Sequence, residues 1–219
     1  MKKCTYCGRE SSDDAAHCGE CGTVFIEAAD LPKKMTSAGF GIRVVARIID
    51  TVFETFVGFC VGICAGVILP ILKYAGILSP GWQHRLHGLS LASFLFGLAS
   101  TILYHFLCEG ICGATVGKLT CGICVVNENG GPCSMKGALI RSLAYYFDSA
   151  FFGLVGYESM RKSSYNQRFG DKWGKTAVFK LKEISGESCW TPARLIIGLA
   201  SGTAAFGIII GLSLIIKAW

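Results

Sequence analysis

Four cysteines near the start of the chain have the spacing of a metal site. Cys4 and Cys7 form one C-x2-C pair, Cys18 and Cys21 form a second, and ten residues separate the two pairs. Two residues between cysteines allow both sulfurs to bind one ion, and two such pairs supply the four thiolates of a tetrahedral zinc site. We therefore expect one structural Zn²⁺ per chain at these cysteines. Two disulfides and a set of redox thiols are the alternatives.

A head of this size depends on its metal. Residues 1–25 are too few to build a hydrophobic core, so we expect zinc binding to supply most of the folding free energy of a small ribbon. Four thiolates leave no coordination position open for water, which favours a structural over a catalytic site. Thiolate ligands also indicate a reducing compartment, so we expect the ribbon to lie in the cytoplasm.

A second set of residues with potential chemistry forms a charged stripe. Arg43, Arg47, Asp50 and Glu54 follow one another at steps of four, three and four residues, which places all four on one side of a helix. Charges within a membrane helix are costly unless they face a bundle interior or one another. Arg43 and Arg47 could also extend to lipid headgroups, whereas Asp50 and Glu54 lie deeper.

Two other segments repeat this pattern of charge. Arg141 and Asp148 lie seven residues apart on one helical face, and His105 and Glu109 lie four apart. We expect three helices to bring these groups together as an intramembrane polar cluster. Three roles stay open for it: ion pairs that hold the helices together, a path for a proton or cation, or a site for lipid headgroups.

Arg43 and Asp50 each need a partner from elsewhere, because two helical turns place them ~10 Å apart. The expected partners are Arg47 or Arg141 for Asp50, and Asp148 or Glu109 for Arg43.

Three uncharged runs must position these groups. They are Thr55–Leu72, Leu89–Leu107 and Leu195–Ile216, with 18, 19 and 22 residues, close to the roughly 20 that a helix needs to cross a bilayer. Charged residues make up only 16% of the chain, whereas a soluble domain has about 25%. The sequence predicts an all-α polytopic membrane bundle and excludes intrinsic disorder and an ordinary soluble enzyme. We find no catalytic triad, phosphate loop or metalloprotease motif and expect no enzymatic activity.

The segment Ala138–Tyr157 is apolar but carries two charges, so it could span the membrane or lie in its interface. The following loop, residues 161–182, holds seven basic residues, and cytoplasmic loops are rich in Lys and Arg. This favours the interfacial or re-entrant alternative and gives three to four transmembrane or re-entrant helices. Leu119–Val126 and residues 175–182 alternate like strands, and we expect them to pair in a minor β element of the cytoplasmic loops.

The last helix has two G-x3-G pairs, Gly198/Gly202 and Gly207/Gly211. Small residues at this spacing allow close helix contact, and the two pairs face opposite sides of the helix. One pair could pack on the bundle and the other on a second copy of the chain. The other expected partners are the lipid bilayer and a protein bound by the ribbon. We expect no nucleic acid, because the positive charge lies beside the apolar runs.

Three motifs carry a resemblance to a known family: GFGIRVVARIID at residues 39–50, GATVGK at 113–118 and NQRFGDKWGKT at 166–176. Together they resemble the RDD family of bacterial membrane proteins, named for one arginine and two aspartates. The resemblance implies that Arg43 begins the first transmembrane helix, that Asp50 lies within it, and that Asp171 is the second aspartate. Trp173-Gly174-Lys175 departs from the more usual Leu-Ala-Gly.

The resemblance covers about residues 38–182 and gives a division of the chain. We expect a zinc ribbon at 1–25, a linker at 26–38, an RDD-like membrane domain at 39–182 and an additional transmembrane helix within 183–219. The family has been associated with transport, including sodium/proton exchange. The resemblance therefore implies a multi-pass protein of the cell (inner) membrane that transports a small solute or ion. The alternatives are a membrane anchor whose ribbon binds a protein partner, and a lipid- or envelope-stress factor whose basic loop binds anionic headgroups.

Overall fold

The computed structural model describes residues 2–4, 7–12, 15–22, 36–77, 91–128, 130–149, 153–183 and 192–218. Over these ranges the chain is mostly helical, with seven α-helices, three of them long and apolar, and two small sheets, which confirms the predicted fold class. The α-helices are α1 (Phe40–Tyr74), α2 (Leu91–Cys112), α3 (Val116–Thr120), α4 (Met135–Asp148), α5 (Leu154–Arg161), α6 (Phe169–Trp173) and α7 (Pro192–Ala218). The strands are β1 (Lys2–Lys3), β2 (Glu10–Ser11), β3 (Ile123–Asn127) and β4 (Thr176–Lys180), and Leu181–Glu183 is a 3₁₀ helix.

Three of these helices, α1, α2 and α7, are long and apolar enough to cross a membrane. The 35 residues of α1 extend for about 52 Å, well beyond the ~30 Å of a bilayer's hydrocarbon core. Its large apolar side chains are exposed, as expected of a surface that lipid covers rather than water. These side chains include Val45, Ile48, Val52, Phe56, Phe59, Ile63 and Val67.

Small residues allow α7 to pack closely on α2. A Cβ atom added to Gly202 would collide with the Cys108 side chain, and one added to Gly198 would lie 2.8 Å from Cys112 Sγ. Because rising numbers on α7 meet falling numbers on α2, the two helices are antiparallel. Tyr104 of α2 lies at the centre of this contact, fully buried beside Phe206.

The second glycine pair also faces a helix of the same chain. Cβ atoms added to Gly207 and Gly211 would contact Val61 of α1 at 3.6 and 3.8 Å. The expectation that this pair remains free for a second chain therefore does not hold within the structure. Association of the chain with a second copy stays a prediction.

The predicted sheet forms, with different boundaries. β3 and β4 pair antiparallel, with Val125 opposite Val178 at the centre of the ladder. The strand predicted at Leu119–Val126 was wrong in its first half: Thr115 caps α3, which ends at Thr120, and a turn at Gly122 (φ 63°) leads into β3. A hydroxyl at the N-cap and a glycine with positive φ are strong local signals, and they override the alternation of apolar residues.

The Ala138–Tyr157 segment is not one continuous helix. α4 has 14 residues, about 21 Å long and thus shorter than a hydrocarbon core, and α5 begins after Gly153, whose φ is +85°. This segment is not among the three candidate spans that the described residues contain. α4 and α5 expose the large apolar side chains Leu143, Phe147 and Leu154, as is typical of helices in the membrane interface.

Residues just before α1 are fastened to the sheet. The Ala38 amide donates to the Val178 carbonyl at 2.8 Å, and Asn166 Nδ2 donates to Ser37 Oγ at 2.7 Å. Most of the predicted linker, residues 26–38, and the predicted start of α2 at Leu89 lie outside the described residues.

Candidate functional site

The four head cysteines lie together. Their sulfurs all fall within 4.8 Å of one another, with Cys4 Sγ 3.6 Å from Cys21 Sγ and Cys7 Sγ 3.5 Å from Cys18 Sγ. The two C-x2-C turns have the same geometry, because the Gly8 amide donates to the Cys4 carbonyl and the Gly22 amide to the Cys18 carbonyl, each at 2.9 Å. Both glycines have positive φ, which the turn requires.

This cluster could bind a metal ion. A tetrahedral ion with sulfur ligands at ~2.3 Å places neighbouring sulfurs about 3.8 Å apart, close to the two distances in the head. Cys4, Cys7, Cys18 and Cys21 would be the ligands, and the short β1–β2 hairpin carries the first pair.

The second site is a chain of alternating charges at one end of the bundle. Asp171, on α6, lies between two guanidinium groups: Arg43 Nη1 donates to Oδ2 at 2.6 Å, and Arg141 Nη1 donates to Oδ1. Arg141 Nε donates in turn to Glu109 Oε2 at 2.9 Å, and Glu109 Oε1 pairs with Lys118. Five elements thus supply a continuous series of three cations and two anions.

The two bridging groups outside the spans have shifted acid–base behaviour. Burial alone would raise the pKa of Asp171, but the guanidinium groups of Arg141 and Arg43 hold it below its usual value. Burial would lower the pKa of Arg141, and the carboxylates of Asp171 and Glu109 raise it instead. Both groups therefore stay charged, and the series is held together as ion pairs.

Asp50 belongs to a different environment. It receives hydroxyl and amide donors: Thr115 Oγ1 at 2.6 Å, the Gly117 amide at 2.7 Å and Tyr104 Oη at 3.2 Å. The expected partners Arg47 and Arg141 were wrong, because Asp50 binds the beginning of α3 instead of a cation. Gly117 is required here, since a Cβ atom would collide with the Ala46 carbonyl oxygen.

Asp148 caps the beginning of α6 in the way that Asp50 caps α3. Its two oxygens accept the Phe169 amide at 3.1 Å and the Gly170 amide at 3.0 Å, so it is not the partner of Arg43. Glu109, the other partner expected for Arg43, binds Arg141 and Lys118 instead. A Cβ atom at Gly170 would lie 2.9 Å from Ala144 Cβ. Burial raises the pKa of Asp148, and the backbone donors only partly offset this.

The same arrangement therefore occurs twice in the chain. Residues 43–50 and 141–148 both read R-x2-A-x3-D, and each aspartate caps a five-residue helix through a glycine amide. α3 and β3 precede α6 and β4 by 53 positions at every boundary. The strand register agrees, because Val125 and Val178 are equivalent positions and also face each other. A local two-fold axis at this pair therefore relates the two strands.

Glu54 and His105 form a third arrangement, deeper along the spans. Thr101 Oγ1 donates to Glu54 Oε2 at 2.8 Å, while Glu54 Oε1 is buried and has no hydrogen-bond partner. His105 Nε2 lies 3.2 Å from Glu54 Oε1 and also faces Arg47 Nη1. A ring nitrogen either donates or accepts a hydrogen bond. Without a proton, Nε2 can accept from Arg47; with a proton, it can donate to Glu54.

These groups surround a cavity of about 70 Å³, which we name the charged cavity. Five of the six residues predicted for the cluster line it, and Glu54 adjoins it through Arg47 and His105. The lining includes Arg43, Arg47, Asp50, Arg141 and Asp148, together with His105, Glu109, Lys118, Arg168 and Asp171.

Sequence reasoning missed three members of this site: Lys118, Arg168 and Tyr104. Lys118 and Asp171 both follow the glycine of a capped turn, 53 residues apart, so the internal repeat was the signal that could have identified Lys118. Tyr104 lies in an uncharged run, and only the packing of α2 against α1 brings its hydroxyl group to Asp50.

The fold and the site together define a membrane-type protein with three candidate spans and a buried charge cluster at one end of them. The RDD family matches residues 37–175, more than half of the chain, so the chain belongs to the RDD family. The match includes all three residues assigned from the resemblance: Arg43, Asp50 and Asp171. Neither a curated protein nor a solved structure matches the chain.

Proposed function

We propose that this protein is a multi-pass membrane transporter that exchanges a proton for a small cation through the charged cavity. The observation that carries the proposal is that His105 Nε2 lies beside both Arg47 Nη1 and Glu54 Oε1, so it can accept from Arg47 or, when protonated, donate to Glu54. Two local arrangements that differ by one proton are what a proton-coupled carrier needs. The two-fold repeat adds support, because repeats that meet around a polar site are a recurrent architecture of transporters.

Glu54, rather than Asp50, is the titrating carboxylate in this proposal. Asp50 already accepts three hydrogen bonds and holds α3 in place. Glu54 Oε1 accepts no hydrogen bond from the described residues and has only His105 Nε2 at 3.2 Å and Arg47 Nη1 at 3.8 Å beside it. A cation or proton that reaches Glu54 can therefore bind an oxygen atom that is already shielded from water.

Flux measurements test the transport proposal. The full chain is reconstituted into liposomes that contain a pH-sensitive dye, and Na⁺ or K⁺ gradients are imposed. We expect cation-dependent proton movement that Glu54→Gln abolishes, since Gln keeps the Thr101 bond but cannot hold a proton. Glu158→Gln, on the exposed face of α5, is the matched control. Liposomes as tight as protein-free ones under H⁺, Na⁺ and K⁺ gradients would contradict transport.

A second candidate function is a membrane anchor whose metal-bound head binds a protein partner. The clustered sulfurs favour it, because a closed site supplies a folded docking surface rather than chemistry. We propose that the metal is one structural Zn²⁺ and that the head is a zinc ribbon. Metal analysis of reduced protein should give about one zinc per chain, lost in Cys4→Ser and Cys18→Ser, with the thermal unfolding of the helical bundle unchanged. No zinc in reduced wild-type protein would contradict this assignment.

We further propose that the head and the charged cluster lie on the cytoplasmic side of the cell membrane. The thiolates favour a reducing compartment, and the basic residues of 161–182 follow the positive-inside rule. Reporter fusions should place residues 1–38, 113–136 and 160–185 inside and Trp219 outside. An external signal at residue 165 would mean that α4 and α5 cross the membrane.

A further inference from the structure

A cleft beside the charged cavity has two arginines and an apolar wall. It has a volume of about 280 Å³, shares Arg47 and Arg168 with the charged cavity, and is bounded on one side by Val44 and Ile48 of α1. We name it the side cleft. Its remaining lining includes Phe40, Tyr145 and the beginning of α5 at Gly153.

Arg168 has unused hydrogen-bonding capacity in this cleft. Its Nε is buried without a hydrogen-bond partner among the described residues, and its charge attracts Asp148 and Asp171 from beyond ion-pair distance. It lies over the Phe40 ring, 5.9 Å from the centroid. A buried guanidinium donor without an acceptor is costly, so the cleft is better suited to a bound acceptor than to an empty state.

Arg47 adds a second guanidinium group on the same cleft. Its Cζ lies 4.4 Å from the centroid of the Tyr145 ring, and its Nη1 lies 3.8 Å from Glu54 Oε1. The carboxylate in the lining, Asp148, is engaged by the amides of Phe169 and Gly170. The side chains that face the cleft therefore carry a net positive charge, and planar guanidinium groups are well matched to phosphate oxygens.

The apolar wall indicates where the rest of the ligand would lie. Ile48 is 58% exposed, and the exposed face of α1 continues beyond it with Val52 and Phe56. A molecule with its phosphate at the arginines could therefore lay hydrocarbon along α1. On the α5 side, Leu154 is 64% exposed and extends the apolar surface.

We propose that the side cleft binds the phosphate group of an anionic phospholipid, with Arg168 as the principal donor and Arg47 as the second. Such a site would explain why a cleft with two arginines lies beside α4 and α5, the helix pair that we expect in the membrane interface, where headgroups lie. It shares Arg47 with the arrangement at His105 and Glu54, but the principal donor, Arg168, takes no part in that arrangement, and the lipid site does not depend on transport. Free phosphate shares the same chemistry, and the test distinguishes the two sources.

Thermal unfolding of the full chain in mixed micelles provides the test. The probes are phosphatidylglycerol, phosphatidylcholine as the zwitterionic comparison, and inorganic phosphate. We expect phosphatidylglycerol to raise the melting temperature more than phosphatidylcholine does. Arg168→Gln should weaken the apparent affinity about tenfold, the loss of one charge-assisted interaction. Arg161→Gln, which removes an exposed arginine of α5, should leave it unchanged.

A second pair of variants tests the proposal even if Arg168→Gln fails to fold. Ile48→Trp narrows the cleft and keeps every charge, while Ile63→Trp places the same ring on an equally exposed part of α1 away from the cleft. Only Ile48→Trp should reduce the phosphatidylglycerol effect. Equal losses in Arg168→Gln and Arg161→Gln, or in the two Trp variants, would overturn the proposal. Stabilisation by inorganic phosphate and not by lipid would keep the phosphate site and assign it to the free anion.

Discussion

The two capped units differ mainly in the charge that follows the shared glycine. In the first, Asp50 holds α3 and Lys118 follows Gly117; in the second, Asp148 holds α6 and Asp171 follows Gly170. The backbone plan is the same, but the charges have opposite signs. This difference allows the units to join electrostatically through Arg141 and Glu109, because two equal charges at these positions could not extend one alternating series.

Among the variants that test this comparison, one that removes the Asp171 carboxylate should lower the free energy of unfolding most. Asp171→Asn leaves Arg43 and Arg141 without their shared carboxylate, and stranding a buried charge costs about 3–5 kcal/mol. Lys118→Met should cost less, because Glu109 keeps its bond to Arg141. Chemical unfolding in detergent micelles measures both values. Equal losses would show that the two units do not differ in this way.

Replacing the shared glycine of either unit, Gly117 or Gly170, should cause the next largest loss of stability. Gly117→Ala drives a methyl group into the Ala46 carbonyl oxygen, which is backbone, and overpacking of this kind costs about 1–3 kcal/mol. Gly170→Ala should cost less, because the nearest atom to its Cβ, Ala144 Cβ at 2.9 Å, is a milder overlap than the collision with the Ala46 carbonyl oxygen. Gly58→Ala, in open space on α1, is the control and should be neutral or slightly stabilising.

The smallest expected effect is a difference between Asp148 and Asp171 in how pH changes the stability of the fold. The pKa of Asp171 is lowered, so its stabilising contribution is complete above the ordinary value of 3.8 and is lost as the pH falls through the lower folded value. The pKa of Asp148 is raised, so mild acidification favours the folded state at this residue. Melting temperatures across pH should therefore show the mild acid gain disappear in Asp148→Asn and persist in Asp171→Asn. The reverse assignment would contradict the comparison.

The sequence predicted the charged stripe and the metal head better than the partners of the charges. Helical spacing placed Arg43, Arg47, Asp50 and Glu54 on one side of α1, because that periodicity is local. Pairing is not local: Arg43 reaches Asp171 across 128 positions. Nothing in the spacing distinguishes an aspartate that binds a cation from one that caps a helix, as Asp50 does.

The boundaries of the short elements show the same limit. The alternation in Leu119–Val126 predicted a strand. Its first two residues instead end α3, whose first amides Asp50 and Thr115 satisfy, and the next two form a turn. Two charges inside Ala138–Tyr157 favoured the interfacial or re-entrant alternative, which stays a prediction, and the segment forms two helices rather than one. The start of α5 after Gly153 could not be placed, because no capping side chain accompanies this glycine.

The hydrogen bonds of residues 36–38 to β4 have a mechanical consequence. The Ala38 amide binds Val178, the Lys180 amide binds the Thr36 carbonyl at 3.4 Å, and the Ala38 carbonyl accepts Arg43 Nε at 3.0 Å. A pull on the N-terminal head would therefore load β4 before it reaches α1. Tension on residues 36–38 would pass along the strand to α6, which carries Asp171 at the centre of the charge series.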